Sequence, residues 1–580
     1  MNKIISKIKS NKIISIILLA FILNTIGILY AFPLLRLVND ETAIVSTVFK
    51  MINDFSLRPN FVDNYYLAPV SYIYLPFYLL YFAAFFLFGI VHSVAELKEL
   101  VLLDYASFNI ILPLARFISV IFSCLSVYLV YKISRTLFKE NKGIALWGSF
   151  FTATNLMFVQ LSHFGRIWII QIFFILLGFY YLSLMMIEKR NSFKNYLISG
   201  VLMALSFGIH IIGAIIYICF LFVHYVLNKG RRFTDVFLKN KKFWLANLVI
   251  LLVVAGIHFL HPYALERYFD ISKGHLVVHQ ASADDIYTRS DSPPRTDISV
   301  VSSLLDGLTQ YIPILLEYGP ILIILFLISL PSLFLRQRKA FYLLASFIVS
   351  YYLFIGPFLK IDSIRYILPI IPFLSIVAGY GFFNFLQRYS SKYFKNILSI
   401  IFIILFLFMP LYWDIGLLKP NTYVMAKQWV ENNLSNGESI INFELDNYLV
   451  LNENKKSLTL LTEFMPGAVS ARERYLLNLD ETNYPQPNYY IIYRPDKMPE
   501  DFLIKNKFNY LIINWWDKKE KEILEEKITK LNYNLELIQK FHPNEAGVDL
   551  TDLVNEMRRP LQLLKNIRYT GPYIEIYKIN

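Results

Sequence analysis

The stretch Arg36-Leu37-Val38-Asn39-Asp40-Glu41-Thr42 follows the first long apolar run, residues 13–35, and contains two adjacent carboxylates. Carboxylates are costly to hold near hydrocarbon, so ionisable groups beside a membrane span are candidates for function. A simpler interpretation is that this pair marks the point where a helix enters water. The positions of the other polar groups relative to the pair distinguish the two interpretations.

The composition is that of a multi-pass membrane protein. Of 580 residues, 56% are hydrophobic and 17% are charged, and the mean hydropathy is +0.47. Several apolar stretches approach the roughly 20 residues that cross a bilayer as a helix. The net charge of +13 does not indicate nucleic-acid binding, because Lys and Arg cluster in short patches between apolar runs and so set membrane orientation. The two cysteines lie in apolar runs, which argues against a disulfide framework.

The basic patches predict the orientation of the chain. Lysines in the first 12 residues are expected to stay in the cytoplasm, so an uncleaved first span brings Asp40 and Glu41 to the outer face. Two apolar runs, 70–91 and 108–131, precede the next cytoplasmic patch, and only one crossing satisfies the charge rule. The first run holds Pro and many Tyr, which favour the membrane interface. We therefore expect 70–91 to lie along the outer leaflet, within a first outer loop at 36–107.

The remaining apolar runs bring the predicted total to about eleven spans. They are expected at 143–161, 168–187, 195–227 as two helices turning near Gly208-Ile209-His210, 243–260, 317–335, 340–357, 366–386 and 396–413, with a polar outer loop at 261–300. Residues 1–415 are thus predicted to form a helical domain in the plasma membrane, with a cytoplasmic N-terminus.

After about Lys419 the composition changes to that of a soluble domain. Strand-like runs at 439–443, 489–493, 510–513 and 574–577 alternate with helix-like runs at 422–434 and 518–530. Residues 416–580 are therefore predicted to form a soluble, extracytoplasmic α/β domain that binds the acceptor or closes over the active site.

The predicted topology places most of the notable polar groups on the outer side. Arg and His can neutralise a phosphate, and Arg offers a bidentate fork. A carboxylate can deprotonate an acceptor hydroxyl or amine as general base. Each group alone is more often a helix cap or a headgroup anchor, but together they suit a phosphorylated lipid substrate. The candidates are Asp40 and Glu41 for catalysis, and Arg58, Arg116, His163, Arg166, His210, Arg365 and Tyr366 for binding the substrate and its phosphate.

The order of these segments resembles the GT-C glycosyltransferases over residues 10–415. It is most similar to family 39, the protein O-mannosyltransferases that use dolichyl-phosphate-mannose, and to related bacterial polyprenyl-phosphate-sugar transferases. The resemblance is carried by Asp40-Glu41, Ala115-Arg116-Phe117, Ser162-His163-Phe164-Gly165-Arg166 and Arg365-Tyr366-Ile367-Leu368-Pro369-Ile370-Ile371-Pro372.

The resemblance implies an inverting transfer on the outer face. A polyprenyl-phosphate-linked sugar would be the donor, without a nucleotide sugar, and a lipid, protein or glycan would be the acceptor. Asp40 would be the general base, and Glu41 would position it or the acceptor. Arg58, Arg116, Arg166 or Arg365 would stabilise the leaving phosphate.

One departure from the family pattern concerns Trp168, which stands where the Ser-His-Phe segment usually carries a second acid. This puts any metal or substrate role of that acid in doubt, and His163 is a candidate to replace part of it. No ligand cluster in the sequence supports a metal requirement. A divalent cation is the only cofactor left open.

Three alternatives compete with this function. Trp515-Trp516-Asp517 resembles part of an acceptor motif of oligosaccharyltransferases, which would make the chain an oligosaccharyltransferase-like catalytic subunit. A transporter or flippase of lipid-linked sugars would need polar groups near the bilayer midplane, whereas the charges here collect at outer span ends. A noncatalytic scaffold would only present the outer domain.

Overall fold

Two architectures follow one another along the chain, a helical part that ends at Leu417 and an α/β part after it. The structure is a computed structural model. It describes residues 12–32, 34, 39–57, 68–103, 108–260, 309, 311–358, 364–443, 449–465, 469, 471–493, 495, 498, 502–503, 506–544, 565 and 567–580. The predicted outer loop at 261–300 and Arg58 lie outside the described residues, and Asp40 is described only by its backbone.

The helical part follows the apolar runs of the sequence. Its helices are α1 (Lys12–Thr25), α2 (Asn39–Asn53), α3 (Ala68–Leu87), α4 (Val94–Leu102), α5 (Phe108–Leu137), α6 (Lys142–Ala153), α7 (Leu156–Ser162), α8 (Ile167–Ile187), α9 (Phe193–Ile209), α10 (Ile216–Leu227), α11 (Lys241–Leu260), α12 (Tyr311–Tyr318), α13 (Pro320–Arg336), α14 (Arg338–Phe358), α15 (Ile371–Gln387) and α16 (Lys392–Leu417). Short 3-10 helices at Ile211–Ile215, Ile364–Tyr366 and Leu368–Ile370 connect some of them.

Among the described helices, five are long and apolar enough to cross a membrane, or seven if each of two bent pairs is one span. The bent pairs are α6 with α7, at 59°, and α12 with α13, at 109°. The predicted count of about eleven spans is therefore not confirmed. The predicted break of 195–227 near His210 is confirmed, since α9 ends at Ile209.

Helix α1 ends at Thr25, ten residues before the end of the apolar run that predicted it. Residues 26–32 form turns in which Gly27 and Ala31 have φ of +79° and +64°. A side chain at Gly27 would also collide with α16, because its Cβ would lie 2.7 Å from the Cβ of Leu417. The turns leave backbone carbonyls of this segment free of helix hydrogen bonds, and the site described below uses them.

Helices α6 and α15 cross at very close range. A Cβ on Gly379 would lie 2.5 Å from the backbone nitrogen and 2.8 Å from the Cα of Gly148. Small residues allow such an approach of two backbones, and packing of this kind is what holds helices together in a membrane. This crossing joins the segment that leads to α7 with the segment that follows Arg365.

The α/β part contains a five-stranded sheet. Its elements are α17 (Thr422–Asn433), β1 (Ser439–Phe443), α18 (Lys455–Phe464), α19 (Ala471–Leu477), β2 (Tyr490–Tyr493), β3 (Tyr510–Trp515), α20 (Lys518–Lys530), β4 (Leu535–Phe541) and β5 (Tyr573–Ile579). The strand order is β2-β1-β3-β5-β4, with β1 parallel to β2 and β3, and β5 antiparallel to β3 and β4.

The strands predicted in the α/β part are present, and β4 was missed. Strand β4 lies at the sheet edge and is mostly exposed, so its sequence, Leu-Glu-Leu-Ile-Gln-Lys-Phe, is more polar than that of a central strand. The location of this part outside the membrane stays a prediction.

The α/β part holds the segment that precedes α2. Leu34 is buried in the core of the α/β part, in a cluster with Tyr423, Ala426 and Val430. The Asn421 amide also donates a hydrogen bond of 3.3 Å to the Tyr30 hydroxyl. The acidic stretch therefore follows directly on a segment fixed by the C-terminal part of the chain.

The α6–α15 crossing gives a matched test of the fold. We expect Gly379→Ala to destabilise the protein by about 1–3 kcal/mol, because the added methyl overlaps the Gly148 backbone. Gly256→Ala is the control, since a Cβ on Gly256 meets nothing within 4 Å. Thermal unfolding of both variants in detergent checks this, and equal unfolding temperatures would contradict the tight crossing.

Candidate active site

Glu41 forms a buried ion pair with Arg116. Glu41 lies in the first turn of α2 and Arg116 lies two turns into α5, and both side chains are fully buried. Nη2 of Arg116 is 3.0 Å from Oε2 of Glu41, and Nε is 3.1 and 3.2 Å from the two carboxylate oxygens. This is the fork geometry in which guanidinium and carboxylate interact most strongly. The pair joins the acidic stretch to the Ala115-Arg116-Phe117 segment.

A backbone amide completes the environment of Glu41. The N–H of Gly165 donates to Oε1 of Glu41 over 2.5 Å. A Cβ on Gly165 would lie 2.6 Å from the Cβ of Ala115, so only glycine lets this loop approach α5 closely enough for the hydrogen bond. This role of Gly165 was not predicted from the sequence, although the residue lies in the 162–166 stretch that carries the family resemblance.

Arg116 also fixes the turns after α1. Its Nη1 donates to the carbonyl oxygens of Ile28, at 2.7 Å, and Tyr30, at 3.2 Å. Arg116 was predicted to bind the substrate phosphate, but the structure buries its guanidinium among acceptors of the protein. Its guanidinium therefore links α5 to α2 and to the turns after α1.

His163 is buried next to the same turns. Its Nδ1 lies 2.8 Å from the carbonyl oxygen of Val159 and its Nε2 lies 2.7 Å from that of Ile26. Asp414 of α16 is 3.5 Å from Nε2, and both side chains are only 1% exposed. Asp414 was not among the predicted residues, although a single acid at the end of the last apolar run was a signal for it.

Phe164 lies between two guanidinium groups. The Cζ atoms of Arg116 and Arg166 are 5.9 and 6.0 Å from the centre of its ring, within the range of a cation–π contact. Arg166 is buried and occupies the position before the first turn of α8. The structure thus brings the predicted residue Arg166 close to the Glu41–Arg116 pair.

Three further predicted residues meet around Trp168. Its ring is 5.1 Å from that of His210 and 5.2 Å from that of Tyr366. The Cζ of Arg365 lies 5.5 Å from the rings of both Trp168 and Tyr366. The Trp168 cluster, consisting of Trp168, His210, Arg365 and Tyr366, therefore combines aromatic faces with a cation.

His210 is neutral in this cluster at pH 7. It lies in the turn between α9 and the following 3-10 helix. Burial, and then the positive charge of Arg365, lower the pKa of His210 to about 4. The imidazole can therefore exchange hydrogen bonds with a ligand but adds no positive charge.

Two predicted residues cannot be assigned contacts. Asp40 is part of the first turn of α2, but its side chain lies outside the described residues, as does the whole of Arg58. Within the described part of the chain, no three His, Cys, Asp or Glu side chains come together as metal ligands. The divalent cation stays a prediction.

Residues 113–258 match the model of a protein family described as dolichyl-phosphate-mannose-protein mannosyltransferase. This family is the one that the sequence motifs resemble, so the predicted resemblance is confirmed over this segment. The match contains Arg116, His163, Arg166 and His210, and it indicates a glycosyltransferase. No curated protein matches the chain.

Solved structures of two kinds are similar to the chain at low identity. One is ArnT from Cupriavidus metallidurans bound to undecaprenyl phosphate, with 11% identity, a TM-score of 0.47, and coverage of 91% of this chain and 95% of that one. Another is the archaeal oligosaccharyltransferase AglB from Archaeoglobus fulgidus in complex with an inhibitory peptide and a dolichol-phosphate. It has 13% identity and a TM-score of 0.46, and the match covers 87% of this chain and 70% of that one.

The Glu41–Arg116 pair gives a prediction about stability. We expect Glu41→Gln to destabilise the protein by about 3–5 kcal/mol, because Arg116 is left buried without its counter-charge. The double variant Glu41→Gln, Arg116→Met should recover part of this loss, since it removes both charges. A double-mutant cycle on thermal unfolding in detergent measures the coupling.

Glu526→Gln is the matched control, because Glu526 forms an exposed ion pair with Lys530 on α20. Its removal should cost less than about 1 kcal/mol. Equal losses for Glu41→Gln and Glu526→Gln would contradict the structural role of the buried pair.

Proposed function

We propose that this chain is a membrane glycosyltransferase that moves a sugar from a polyprenyl-phosphate carrier to an acceptor at the outer face, with inversion. The observation that carries the proposal is the Glu41–Arg116 pair closed by the Gly165 N–H. It joins the acidic stretch to the segments at 115–117 and 162–166, which lie within the part of the chain that matches the mannosyltransferase family.

Glu41 serves as the fixed member of the acidic pair. Its carboxylate accepts hydrogen bonds from Arg116 and Gly165 and is paired with the guanidinium, so its oxygens are already occupied by donors of the protein. Asp40 precedes it in the same turn of α2, and the fixation of Glu41 therefore also fixes the backbone of Asp40. Because Glu41 is held in this way, we assign the role of general base to Asp40.

The reaction is a single displacement at the anomeric carbon. Asp40 takes the proton of the acceptor hydroxyl or amine while the acceptor atom bonds to that carbon. The bond to the phosphate oxygen breaks, and its electron pair stays on the polyprenyl phosphate. Attack opposite to the leaving group inverts the anomeric configuration.

The leaving phosphate gains negative charge, and fixed cations favour that change. We assign Arg365 and Arg58 to this task, with hydrogen bonds from Tyr366 and the neutral His210, whereas Arg166 is buried like Arg116 and is not assigned to it. Arg365 rests against the rings of Trp168 and Tyr366, so its guanidinium needs little reorganisation when the phosphate binds. Arg116 and His163 act inside the protein and are not assigned to the phosphate.

Helix α3 supports a lipid-facing floor for the site. Near its start, Pro69 lies 3.1 Å from the Cβ position of Gly208, beside His210. Farther along, the hydroxyls of Tyr78 and Tyr81 donate to backbone carbonyls in the first turn of α5. Helix α3 is one of the five helices long and apolar enough to cross a membrane. We propose instead that it lies along the outer leaflet, because both contacts are with residues at the predicted outer ends of α9 and α5.

The exposed side chains of this segment are apolar. They include Leu79, Leu80, Phe86, Leu87, Phe88 and Ile90. A polyprenyl tail is itself apolar and can pack against such a surface by van der Waals contact within the bilayer. We therefore propose that α3 and the residues after it form the floor of the groove for the carrier lipid.

The oligosaccharyltransferase alternative loses its sequence support. The Asp517 carboxylate accepts a hydrogen bond of 2.8 Å from the N–H of Glu520, and the Glu520 carboxylate accepts one of 2.7 Å from the N–H of Trp516. Asp517 is thus the N-cap of α20, and Glu520 reaches back to the residue before it in a variant of the capping box. Trp515 stacks on Tyr573 with ring centres 5.6 Å apart. The Trp-Trp-Asp trio thus has a structural explanation.

The role of Asp40 can be tested by transfer assays on the purified protein. Radiolabelled polyprenyl-phosphate mannose and glucose serve as donors, with membranes of the source cells as acceptor, and released polyprenyl phosphate is quantified. We expect Asp40→Asn to slow transfer by about 10²–10⁴-fold, because the amide cannot accept the proton. Asp54→Asn, an exposed residue after the other end of α2, should leave the rate unchanged. Full activity of a folded Asp40→Asn variant would refute the assignment.

Transport of lipid-linked sugars can be separated from transfer in proteoliposomes. We expect a new glycosidic product and no requirement for movement of the donor between leaflets, because the assigned groups lie on one side. Donor loaded in one leaflet is followed by its accessibility to an added reagent, and the products are followed by mass spectrometry. Movement of intact donor without product would favour the flippase alternative.

A further inference from the structure

Asp414 is a buried acid that the proposed reaction does not use. Neither of its carboxylate oxygens has a hydrogen-bond partner among the described residues, and the side chain is 1% exposed. Most of α16 is exposed on the outside of the helical part, and its buried residues concentrate near its end. An ionised carboxylate is costly in such surroundings unless an opposite charge lies close to it.

His163 is the group that can supply this charge. Both of its ring nitrogens face backbone carbonyl oxygens, those of Val159 and Ile26, at 2.8 and 2.7 Å. A neutral imidazole has one N–H and can donate to only one of them, whereas the doubly protonated ring donates to both. Burial lowers the pKa of His163, the hydrogen bonds to Val159 and Ile26 raise it, and the charge of Arg116 lowers it again, so a charged ring needs the Asp414 carboxylate beside it.

We propose that Asp414 is a positioning residue that acts through His163. Its carboxylate balances a doubly protonated His163, and the ring uses its two protons to hold α7 and the turn after α1. The kinetic part of this inference rests on the proposed function, whereas the protonation state of His163 does not.

The His163–Asp414 pair affects the surroundings of Glu41 through the segments that His163 contacts or belongs to. Ile26 begins the turns whose carbonyls at Ile28 and Tyr30 receive Arg116. Gly165, two residues after His163, donates to Glu41. The His163–Asp414 pair therefore holds both segments that surround the Glu41 carboxylate.

The pair also joins the reaction site to the C-terminal part. Helix α16 ends three residues after Asp414, and Asn421 then donates to the hydroxyl of Tyr30. Trp413 and Leu417, next to Asp414 and one turn after it, are buried as well. The end of α16 is thereby joined through His163 to the segment between α1 and α2, and Asn421, which follows α16, contacts the same segment directly.

The protonation state is tested by solid-state NMR of the full-length protein in proteoliposomes, with ¹⁵N-labelled histidine side chains. The chain has nine histidines, and loss of one signal in His163→Gln identifies the ring. We expect two protonated ring nitrogens at pH 7 in the wild type and only one in Asp414→Asn. A singly protonated ring in the wild type overturns the proposal even if no variant folds, and so does an unchanged ring in Asp414→Asn.

The positioning role is tested by kinetics on the same proteins. We expect Asp414→Asn to lower turnover by about 10–100-fold, because small displacements of catalytic groups are costly. Binding of undecaprenyl phosphate, used as a probe, should be unchanged. His163→Gln and the double variant His163→Gln, Asp414→Asn should lower turnover no further than Asp414→Asn does. Both substitutions break the same interaction, the His163–Asp414 pair.

Glu453→Gln is the matched control. It breaks a pair of similar burial, formed with Arg472 in the α/β part at 3.1 Å, and should leave the His163 signal and the turnover intact. Wild-type turnover in Asp414→Asn would refute the positioning role and leave the proposed function standing. A wild-type protein that transfers no sugar would refute the proposed function, and the NMR measurement would still decide the pair.

Discussion

The constraint on which the site depends is that a charge buried away from water must be paired. Glu41 and Arg116 are both fully buried, and burying either charge without the other would be strongly destabilising. Their pairing requires α2 to begin beside α5, α1 to end early so that its carbonyls reach Arg116, and a glycine at position 165 so that a backbone amide reaches Glu41. Several features that look local are thus consequences of one ion pair.

This constraint separates two kinds of charged residue that the sequence presents alike. Arg116 and His163 direct their polar atoms at the protein itself, at the carbonyls of Ile26, Ile28 and Tyr30. Arg365 also lies against the rings of Trp168 and Tyr366, and these rings carry no negative charge. Charge and outer location were enough to nominate all of these residues, but only burial and partners distinguish the residues that build the site from those suited to bind substrate.

Structural features that depend on residues close together in the chain could be predicted from the sequence. Helices α8 and α16 and the break before His210 follow from apolar runs and their interruptions, and four of the five strands follow from short β-branched or aromatic runs. Features that depend on contacts between residues far apart in the chain could not be predicted from it. Glu41 and Arg116 are 75 residues apart, and Glu41 and Gly165 are 124 apart. The early end of α1 could not be predicted from its apolar run, because its cause lies on α5, α7 and α16.

Trp168 illustrates how such a site can accommodate the loss of an acid. A carboxylate at this position would face the guanidinium of Arg365 and cancel its charge, which would weaken attraction for a phosphate. The indole ring holds the same guanidinium by a cation–π contact, which orients the cation without adding a negative charge. With Trp168 in place of an acid, the net charge of the Trp168 cluster is more positive. A leaving phosphate that gains negative charge is stabilised by nearby positive charge, so Trp168 is compatible with the proposed transfer and with the proposed general base in the Asp40-Glu41 stretch.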